Sequence, residues 1–383
     1  MLERLIGPER PISWVLQFWP VLVFSFVSAL VATSLCKKIA LKFGIVDRPD
    51  ELVKTHKGTV AYLGGVGILV GLTVGILTGI YCLRDQGEFR STFIRLTGVL
   101  AGGAIACMIG LVDDIFDIKP WQKMLGQVVA AAVLVAVGTR PSLRFLDLYL
   151  GLRIPDGVAT IVGAFIVVFF VLGATNSLNL LDGLDGLCAG VTVIITVAML
   201  VLAIHLGTWG TNKVGDPIRV IICLGLVGGV CGFLPFNRHP AKIFMGDAGS
   251  MLLGFVVAAL MVMFAEKAVR WWMASIVVFG LPILDTAVAL VRRLINRRPL
   301  FVSDRGHIYD QMIDRGIPLK KTVKISYGLA GIYALIGLAF SIRIRARYAL
   351  IVYVAVFVVS AVAVWRKGYL KMEGLRGAVR KSR

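Results

Sequence analysis

Acidic residues are scarce in this chain, which has 22 Asp and Glu against 41 Lys and Arg among its 383 residues. Only 16% of the residues are charged, whereas 58% are hydrophobic. A soluble protein this basic would suggest a nucleic-acid partner. Here the charges lie between apolar runs, so we expect contact with anionic lipid head groups in a bilayer and no binding of nucleic acid.

Cysteine is also sparse, and its spacing argues against a disulfide-bonded domain and against a zinc-binding domain. The six cysteines lie in or beside apolar segments, and none forms a CxxC pair. Neither a disulfide framework nor a zinc site is therefore indicated. The first apolar run follows a short polar start and lacks a small-residue cleavage site, so it predicts a retained helix and not a cleaved signal peptide.

Long apolar runs dominate the chain, whose mean hydropathy is +0.85. Because backbone groups in lipid must pair internally, and because the runs are continuous and not alternating, the sequence predicts an all-α, polytopic integral membrane protein. We expect one transmembrane domain over residues 1–365 and a basic cytoplasmic tail over 366–383. About eleven spans are predicted, of which the fourth and eighth are short. They are 14–36, 61–83, 93–112, 124–137, 157–175, 187–206, 218–236, 251–264, 271–291, 325–342 and 348–365.

The distribution of Lys and Arg predicts the face of the membrane that each loop occupies. With eleven spans, alternate loops on one side hold 26 of the 41 basic residues. The positive-inside rule makes this side cytoplasmic, with the N-terminus outside and the C-terminus inside. Arg343, Arg345 and Arg347 go against the rule, since they fall in a tight outer turn. Every polar cluster described next falls on the predicted cytoplasmic face.

The first polar cluster ends the third span, in the run LVDDIFDIKPWQK. Asp113 and Asp114 are adjacent, Asp117 follows about one helical turn later, and Lys123 lies just beyond. Paired carboxylates repel each other, so one of them is expected to hold its proton and to be able to act as a base. The alternative is a solvated helix end, but carboxylates at a membrane boundary are costly enough to indicate a function.

The second cluster is the run NSLNLLDGLDGL, in which polar side chains recur every three residues. On a helix, Asn176, Asn179, Asp182 and Asp185 would lie on one slowly drifting face. The two glycines of the run weaken the helix and allow close approach of the backbone. Amide and carboxylate oxygens suit magnesium and also the ribose or base of a nucleotide. The alternative is capping and turn formation.

The third cluster is FMGDAGS, where Asp247 sits in a glycine-flanked turn immediately before a span. Such a turn can present backbone N–H groups and one carboxylate to a metal–phosphate pair. Taken alone the pattern is weak, because Asp247 can instead be the N-cap of the next helix.

Basic residues mark two further segments on the same face. Arg305 and His307, in the loop 292–324, are candidates for clamping a diphosphate. Lys57 can form a basic rim on a phosphate site or belong to an ordinary charged loop. Asp285, within the ninth span, receives no role. We interpret four other arginines of the loop as a plain positive-inside signal: Arg292, Arg293, Arg297 and Arg298.

Together and in this order, LVDDIFD, NSLNLLDGLDGL, FMGDAGS and DRGHI resemble the polyprenyl-phosphate N-acetylhexosamine-1-phosphate transferases. That superfamily includes the phospho-N-acetylmuramoyl-pentapeptide transferases, and the resemblance covers about residues 37–325. It implies ten or eleven spans and a cytoplasmic active site in the inner (cytoplasmic) membrane of a bacterium. It also implies transfer of a sugar-1-phosphate from a UDP-sugar to polyprenyl phosphate, such as undecaprenyl phosphate, with release of UMP. A homodimer is compatible with it.

The resemblance further implies roles for individual residues. Asn179 and Asp247 match magnesium ligands, with Mn²⁺ as an alternative ion, and Lys123 matches a lysine that contacts phosphates. Asp113 and Asp114 match a catalytic aspartate pair, and we count Asp117 and Lys123 among the catalytic candidates. The nucleotide and diphosphate contacts match Asp182, Asp185, Arg305 and His307. Relatives with several histidines in the last loop differ from this chain, where His307 is followed by Ile308, Tyr309 and Asp310. The expected donor is therefore UDP-N-acetylglucosamine, with its epimer or a modified sugar as the alternatives.

Two other functions remain open on the residues alone. The DDIFD run also fits an intramembrane prenyltransferase, but such an enzyme would need a second aspartate-rich motif with Dx3D spacing. A proton-coupled transporter would place its carboxylates at the membrane midplane and often shows internal repeats. Here the acids lie at span ends, and no repeat is evident.

Overall fold

The computed structural model describes residues 13–47, 59–84, 89–209, 216–297, 306–343 and 346–370. Two predicted site residues, Lys57 and Arg305, lie outside the described residues. The helices within these ranges are α1 (Ser13–Leu16), α2 (Trp19–Phe43), α3 (Gly64–Leu83), α4 (Phe89–Phe116), α5 (Pro120–Ala136), α6 (Arg144–Leu150), α7 (Asp156–Leu181), α8 (Leu187–Trp209), α9 (Pro217–Asn237), α10 (Gly246–Lys267), α11 (Val269–Val278), α12 (Gly280–Ile295), α13 (Ile308–Asp314), α14 (Leu319–Arg343) and α15 (Ala346–Arg366). Two short strands, β1 (Val46–Asp47) and β2 (Val60–Ala61), pair antiparallel.

The predicted all-α, polytopic membrane fold is confirmed. Among the described residues, eight helical segments are long and apolar enough to cross a membrane. There are nine if α11 and α12, which meet at a bend of 66°, form one broken span. Each of the eleven predicted spans coincides with one of these segments or with the apolar helices α5 and α15. Because α5 has only 17 residues and α15 is described in part, the count of eleven and the orientation stay predictions.

Helix α10 is the centre of the bundle. The sequence predicted a short span there, but the helix has 22 residues because it begins within the FMGDAGS turn. Its residues from Met251 to Ala265 are all buried inside the protein. It packs against α3, α4, α7 and α11, which together shield it from lipid. The first residues of α10 are consequently held by neighbours on several sides.

Small residues let the backbones of this bundle approach each other closely, as is common between membrane helices. A Cβ atom added to Gly65 at the start of α3 would overlap the backbone of Gly249 in α10. A Cβ atom added to Gly110 in α4 would likewise overlap the backbone of Asp247. These two contacts bring α3 and α4 against the first turn of α10, where the polar clusters lie.

The loops that the charge count assigned to one face lie together at one end of the bundle. The strand residue Ala61 bridges Ile243 just before α10. Asp185, after α7, accepts a hydrogen bond from the backbone of Ala241 at 3.1 Å, and the Tyr309 hydroxyl donates to the carbonyl of Leu180 at 2.7 Å. The four predicted clusters therefore meet at this end.

The opposite end carries charges that pair with one another. Arg219 is 3% exposed and donates to both carboxylate oxygens of Asp216 at 2.6 Å. Arg95 pairs with Glu266 at 2.7 Å. A cavity of about 1070 Å³ opens beside these pairs. Buried charges in a membrane protein need partners. These ion pairs therefore explain how arginine side chains are accommodated at this end of the helix bundle.

Candidate active site

The Asp114 carboxylate caps the central helix. One of its oxygens accepts a hydrogen bond from the backbone N–H of Asp247 at 2.8 Å, and the other accepts one from Ala248 at 3.1 Å. The first N–H groups of a helix have no partner within it, and the helix dipole favours an anion at this position. A residue of α4 thus accepts the hydrogen bonds of two N–H groups at the start of α10. The Asp247 side chain does not have to cap its own helix and remains available for other contacts.

The Asp247 side chain faces a group of polar residues from four helices. The Lys123 ammonium lies 2.9 Å from Oδ2 of Asp113 and 3.4 Å from Oδ1 of Asn179, and it also pairs with Oδ2 of Asp247. The Asn179 amide donates to Oδ1 of Asp247 at 2.6 Å and to the Ser250 hydroxyl at 3.0 Å. Side chains from distant parts of the sequence, among them Asp113 and Asp247, therefore form one cluster.

Local structure explains how Lys123 reaches this cluster. Pro120 occupies the start of α5, where a missing N–H has no cost. Gln122 accepts a hydrogen bond from the backbone N–H of Lys119 at 3.0 Å, and Asp113 accepts one from Ile118 at 3.1 Å. These contacts fix the turn between α4 and α5, so that the first turn of α5 directs Lys123 back towards Asp113.

The donor set fits a divalent cation that also binds phosphate. Three oxygens, two from carboxylates and one from an amide, converge on a point that the Lys123 ammonium occupies. Among the described residues, no group of three His, Cys, Asp or Glu residues is arranged to hold a metal by itself. Mg²⁺ is usually bound by one or two carboxylates, with substrate phosphates and waters completing its shell. Asp247 and Asn179 fit that incomplete type of site.

The helix expected for the whole of NSLNLLDGLDGL ends before its two aspartates. Helix α7 stops at Leu181, and residues 182–186 form a turn in which Gly186 has a φ of +76°. Asn176 donates to Gln127 at 3.1 Å, whereas Asp185 contacts Nδ1 of His239 at 2.7 Å. Only Asn179 of the four reaches the Lys123 cluster, and the substrate-binding roles of the others stay predictions.

Asp182 lies at this turn, close to the acidic cluster. Burial raises the pKa of its carboxyl well above the usual range, and the charges of Asp247 and Asp114 raise it further. Asp117, by contrast, is exposed and has a φ of +48° beyond the end of α4. The structure does not bring Asp117 into the cluster, and its catalytic role stays a prediction.

His307 is buried at the edge of the site and does not stand in a solvated loop. Its Nδ1 atom lies 2.8 Å from a carboxylate oxygen of Asp285, the residue that received no role from the sequence. The interpretation of Arg292 and Arg293 as plain positive-inside charges is wrong, because both are buried. Arg292 donates to the carbonyl of Gly306, so it holds the segment that carries His307.

Sequence reasoning also missed Asn237 and Tyr62. Asn237 accepts a hydrogen bond from the backbone N–H of Gly186 at 3.0 Å and donates to the carbonyl of Ile243 at 3.0 Å, which ties two motifs together. Burial, together with nearby carboxylates that include Asp114, raises the pKa of Tyr62. The only sequence signal for either residue was a polar group at the end of an apolar run.

The start of the expected tail packs against the same region. Gln311 in α13 donates to the carbonyl of Tyr369 at 2.9 Å, and Arg315 donates to that of Lys367 at 2.8 Å. The Arg315 guanidinium also lies 4.5 Å from the centre of the Tyr369 ring. Residues 367–370 therefore belong to the packed protein, while 371–383 lie outside the described residues.

The close contact at Gly110 supplies a test of this geometry. We expect Gly110→Ala to push α4 away from α10 and break the hydrogen bonds of Asp114. Overpacking costs about 1–3 kcal/mol of stability, and a displacement of about 1 Å in a site can lower turnover about 100-fold. Gly173→Ala in α7 is the matched control, because a Cβ atom there meets nothing within 4 Å. Thermal unfolding and turnover would be measured together, and equal values for the two variants would contradict the packing argument.

Known proteins resemble this chain over most of its length. The model of glycosyl transferase family 4 matches residues 96–265. A probable undecaprenyl-phosphate N-acetylglucosaminyl 1-phosphate transferase of Bacillus subtilis is 30% identical over 370 residues, covering 96% of this chain and 94% of the relative. A decaprenyl-phosphate N-acetylglucosaminephosphotransferase of Mycobacterium tuberculosis is 30% identical, covering 87% and 84%. A phospho-N-acetylmuramoyl-pentapeptide-transferase of Desulforamulus reducens is also 30% identical, covering 78% and 87%.

Proposed function

Since the chain belongs to glycosyl transferase family 4, we propose that it transfers N-acetylglucosamine-1-phosphate from UDP-N-acetylglucosamine to undecaprenyl phosphate. An oxygen of the lipid phosphate attacks the β-phosphorus of the donor. The bond from that phosphorus to UMP breaks, and a lipid-linked diphospho-sugar and UMP are formed. Such a lipid is the first intermediate of a cell-envelope polysaccharide. Similarity along almost the full length of two polyprenyl-phosphate transferases supports this proposal.

One structural observation carries the assignment to this reaction. Asp113, Lys123, Asn179 and Asp247 come from four different helices and meet at one end of the bundle. Phosphoryl transfer needs placement and neutralisation of charge more than it needs covalent help from the protein. A lysine among oxygen ligands provides those two functions. A proton-coupled transporter would have no need of this arrangement at a helix N-terminus, whereas a prenyltransferase, which also binds a diphosphate, is distinguished by the product that it releases.

We assign different roles to the two adjacent aspartates. Both oxygens of Asp114 are engaged by the backbone of α10, so its role is to position Asp247. Asp113 faces Lys123 and is the one of the pair that can accept a proton from the lipid phosphate. Lys123 neutralises charge on the transferred phosphate, and His307 binds the donor diphosphate together with Arg305. Lys57 extends the basic rim.

Asn179 and Asp247 would hold Mg²⁺, or Mn²⁺ in its place. An ion held there would polarise phosphoryl oxygens and neutralise charge that develops on them. Asn176, Asp182 and Asp185 line the approach of the nucleotide from the end of α7. With the positive-inside orientation, this end of the bundle faces the cytoplasm, and the protein resides in the inner membrane of its bacterium.

The proposal is tested by measuring UMP release by the purified protein with undecaprenyl phosphate. UDP-N-acetylglucosamine, UDP-N-acetylgalactosamine and UDP-muramoyl-pentapeptide would be supplied in turn. Release that requires the lipid is expected, and the preferred donor identifies the branch of the family. Release of diphosphate from a prenyl diphosphate, with no UMP from any donor, would instead favour prenyl transfer.

Removal of divalent cations is expected to reduce UMP release to background. Without an ion, Lys123, Arg305 and His307 would have to offset the charge of Asp113, Asp247 and two phosphate-bearing substrates on their own. The assay would be run with a chelator and then with Mg²⁺ or Mn²⁺ added in excess. Both ions are expected to restore activity, since both accept oxygen ligands. Full activity in the chelator would remove the metal from the proposed mechanism.

A further inference from the structure

Asp285 is a buried carboxylate that the reaction described above does not use. It lies in α12 and is 1% exposed. One of its oxygens is 2.8 Å from Nδ1 of His307, and the other accepts a hydrogen bond from the backbone N–H of Ile308 at 2.7 Å. Burying a carboxylate in a membrane helix is costly. Its two contacts both go to the segment that carries His307, which indicates that it serves that segment.

The two contacts determine where the His307 ring carries its proton. An ionised carboxylate only accepts hydrogen bonds, and the N–H of Ile308 only donates. Nδ1 of His307 must therefore carry a hydrogen to bond with Asp285. Nε2, the ring's other nitrogen, then points away from Asp285. The chemical state of Nε2, and so what the ring offers to a substrate, depends on the partner that Nδ1 has.

The ring is also held from its other sides. The His307 and Tyr309 rings stack with centroids 5.5 Å apart and planes 10° apart. The Tyr309 hydroxyl donates to the carbonyl of Leu180, two residues before Asp182. The carbonyl of Gly306 accepts hydrogen bonds from Arg292 and from Gln311. His307 is thus fixed between α12 and the end of α7 that carries Asn179.

We propose that Asp285 is a positioning residue for the transfer reaction, acting through His307. It keeps the hydrogen on Nδ1, orients the ring and thereby presents Nε2 to the phosphate-bearing substrate. The kinetic consequence rests on the proposed function, whereas the position of the hydrogen does not.

Asp285→Asn separates positioning from simple packing. The amide has nearly the same shape but offers one acceptor and one donor group. If its oxygen takes the N–H of Ile308, its NH₂ group faces Nδ1 of His307. The ring must then accept at Nδ1 and carry its hydrogen on Nε2. The variant is therefore expected to retain its fold and to carry the ring hydrogen of His307 on Nε2 in place of Nδ1.

The first measurement is ¹⁵N NMR of the full protein labelled at histidine, in detergent. The chain has four histidines, and His307→Gln identifies the signals of His307. We expect Nδ1 of His307 to carry hydrogen in the native protein and to lose it in Asp285→Asn. A native protein with hydrogen only on Nε2 would overturn the proposal. Because this spectrum needs no variant at Asp285, the test holds even if Asp285→Asn does not fold.

The second measurement is a double-mutant cycle on UMP release. For histidines that bind metals, loss of the orienting partner typically costs about 10–100-fold, and we expect kcat/KM to fall by a similar factor in Asp285→Asn. In a His307→Gln background the same change should have little further effect. Asp156→Asn, at the opposite end of the bundle, is the matched control and should leave kcat/KM unchanged.

An equal loss in both backgrounds would show that Asp285 acts on the fold and not through His307, and it would overturn the proposal. Absence of UMP release by the native protein would refute the proposed function alone, because the NMR result would still report on the Asp285–His307 pair.

Discussion

Replacing Asp247 with Asn is expected to abolish turnover while leaving membrane insertion intact. Asp247 pairs with Lys123 through one oxygen and accepts from Asn179 through the other. The amide removes the charge and presents an NH₂ group to one of these donors, so the geometry that would hold Mg²⁺ is lost. Loss of one group that stabilises charge in a transition state costs about 100- to 1,000-fold, and we expect at least this effect on kcat.

The measurement is UMP release by detergent-purified protein, with size-exclusion profile and thermal unfolding as checks on the fold. Asp147→Asn is the control, because Asp147 is an exposed residue at the opposite end of the bundle whose ion pair with Arg153 is solvated. Near-normal turnover of Asp247→Asn would remove Asp247 from the metal site.

Replacing Lys123 with Met is expected to lower turnover by a similar factor and also to change the response to metal. The ammonium lies among oxygens of Asp113, Asn179 and Asp247. Without it, the two carboxylates repel each other, and removal of one partner from a buried ion pair costs about 3–5 kcal/mol. A divalent cation would then take over the neutralisation, so Mg²⁺ should raise the unfolding temperature of the variant more than that of the native protein.

Lys42→Met supplies the control, since Lys42 is an exposed lysine at the end of α2. It should match the native protein in kcat and in the shift of Tm with Mg²⁺. If Lys123→Met lost activity without an increased response to Mg²⁺, the lysine and the metal would not share these oxygens, and the proposed cation site would be wrong.

The sequence predicted the class of fold because hydropathy acts over whole segments. Each predicted span coincides with a helix, and the resemblance to polyprenyl-phosphate N-acetylhexosamine-1-phosphate transferases is confirmed by the family match. The start of α10 was misplaced, because GDAGS reads as a turn in isolation. Its N–H groups are satisfied by Asp114 from another helix, and local propensity contains no information about such a distant cap.

The roles within the site were harder to predict for a geometric reason. Adjacent residues on a helix point about 100° apart, so Asp113 and Asp114 meet different partners although the pattern treats them as a pair. The contact between Asp285 and His307 spans 22 residues and joins a span to a loop. Arg292 looks like a topology signal in sequence. Nothing in the sequence shows that its guanidinium packs against Gly306, where an added Cβ atom would overlap it.

The cap on α10 also has a consequence for biogenesis. Asp114 is separated from the backbone amide of Asp247 by 133 residues. At synthesis rates of about 5–20 residues per second, roughly 10 s pass between the insertion of one and the appearance of the other. During this interval the Asp114 carboxylate of the nascent chain lacks the backbone N–H groups that it caps in the folded protein. Premature termination anywhere before α10 would leave that carboxylate without its partner.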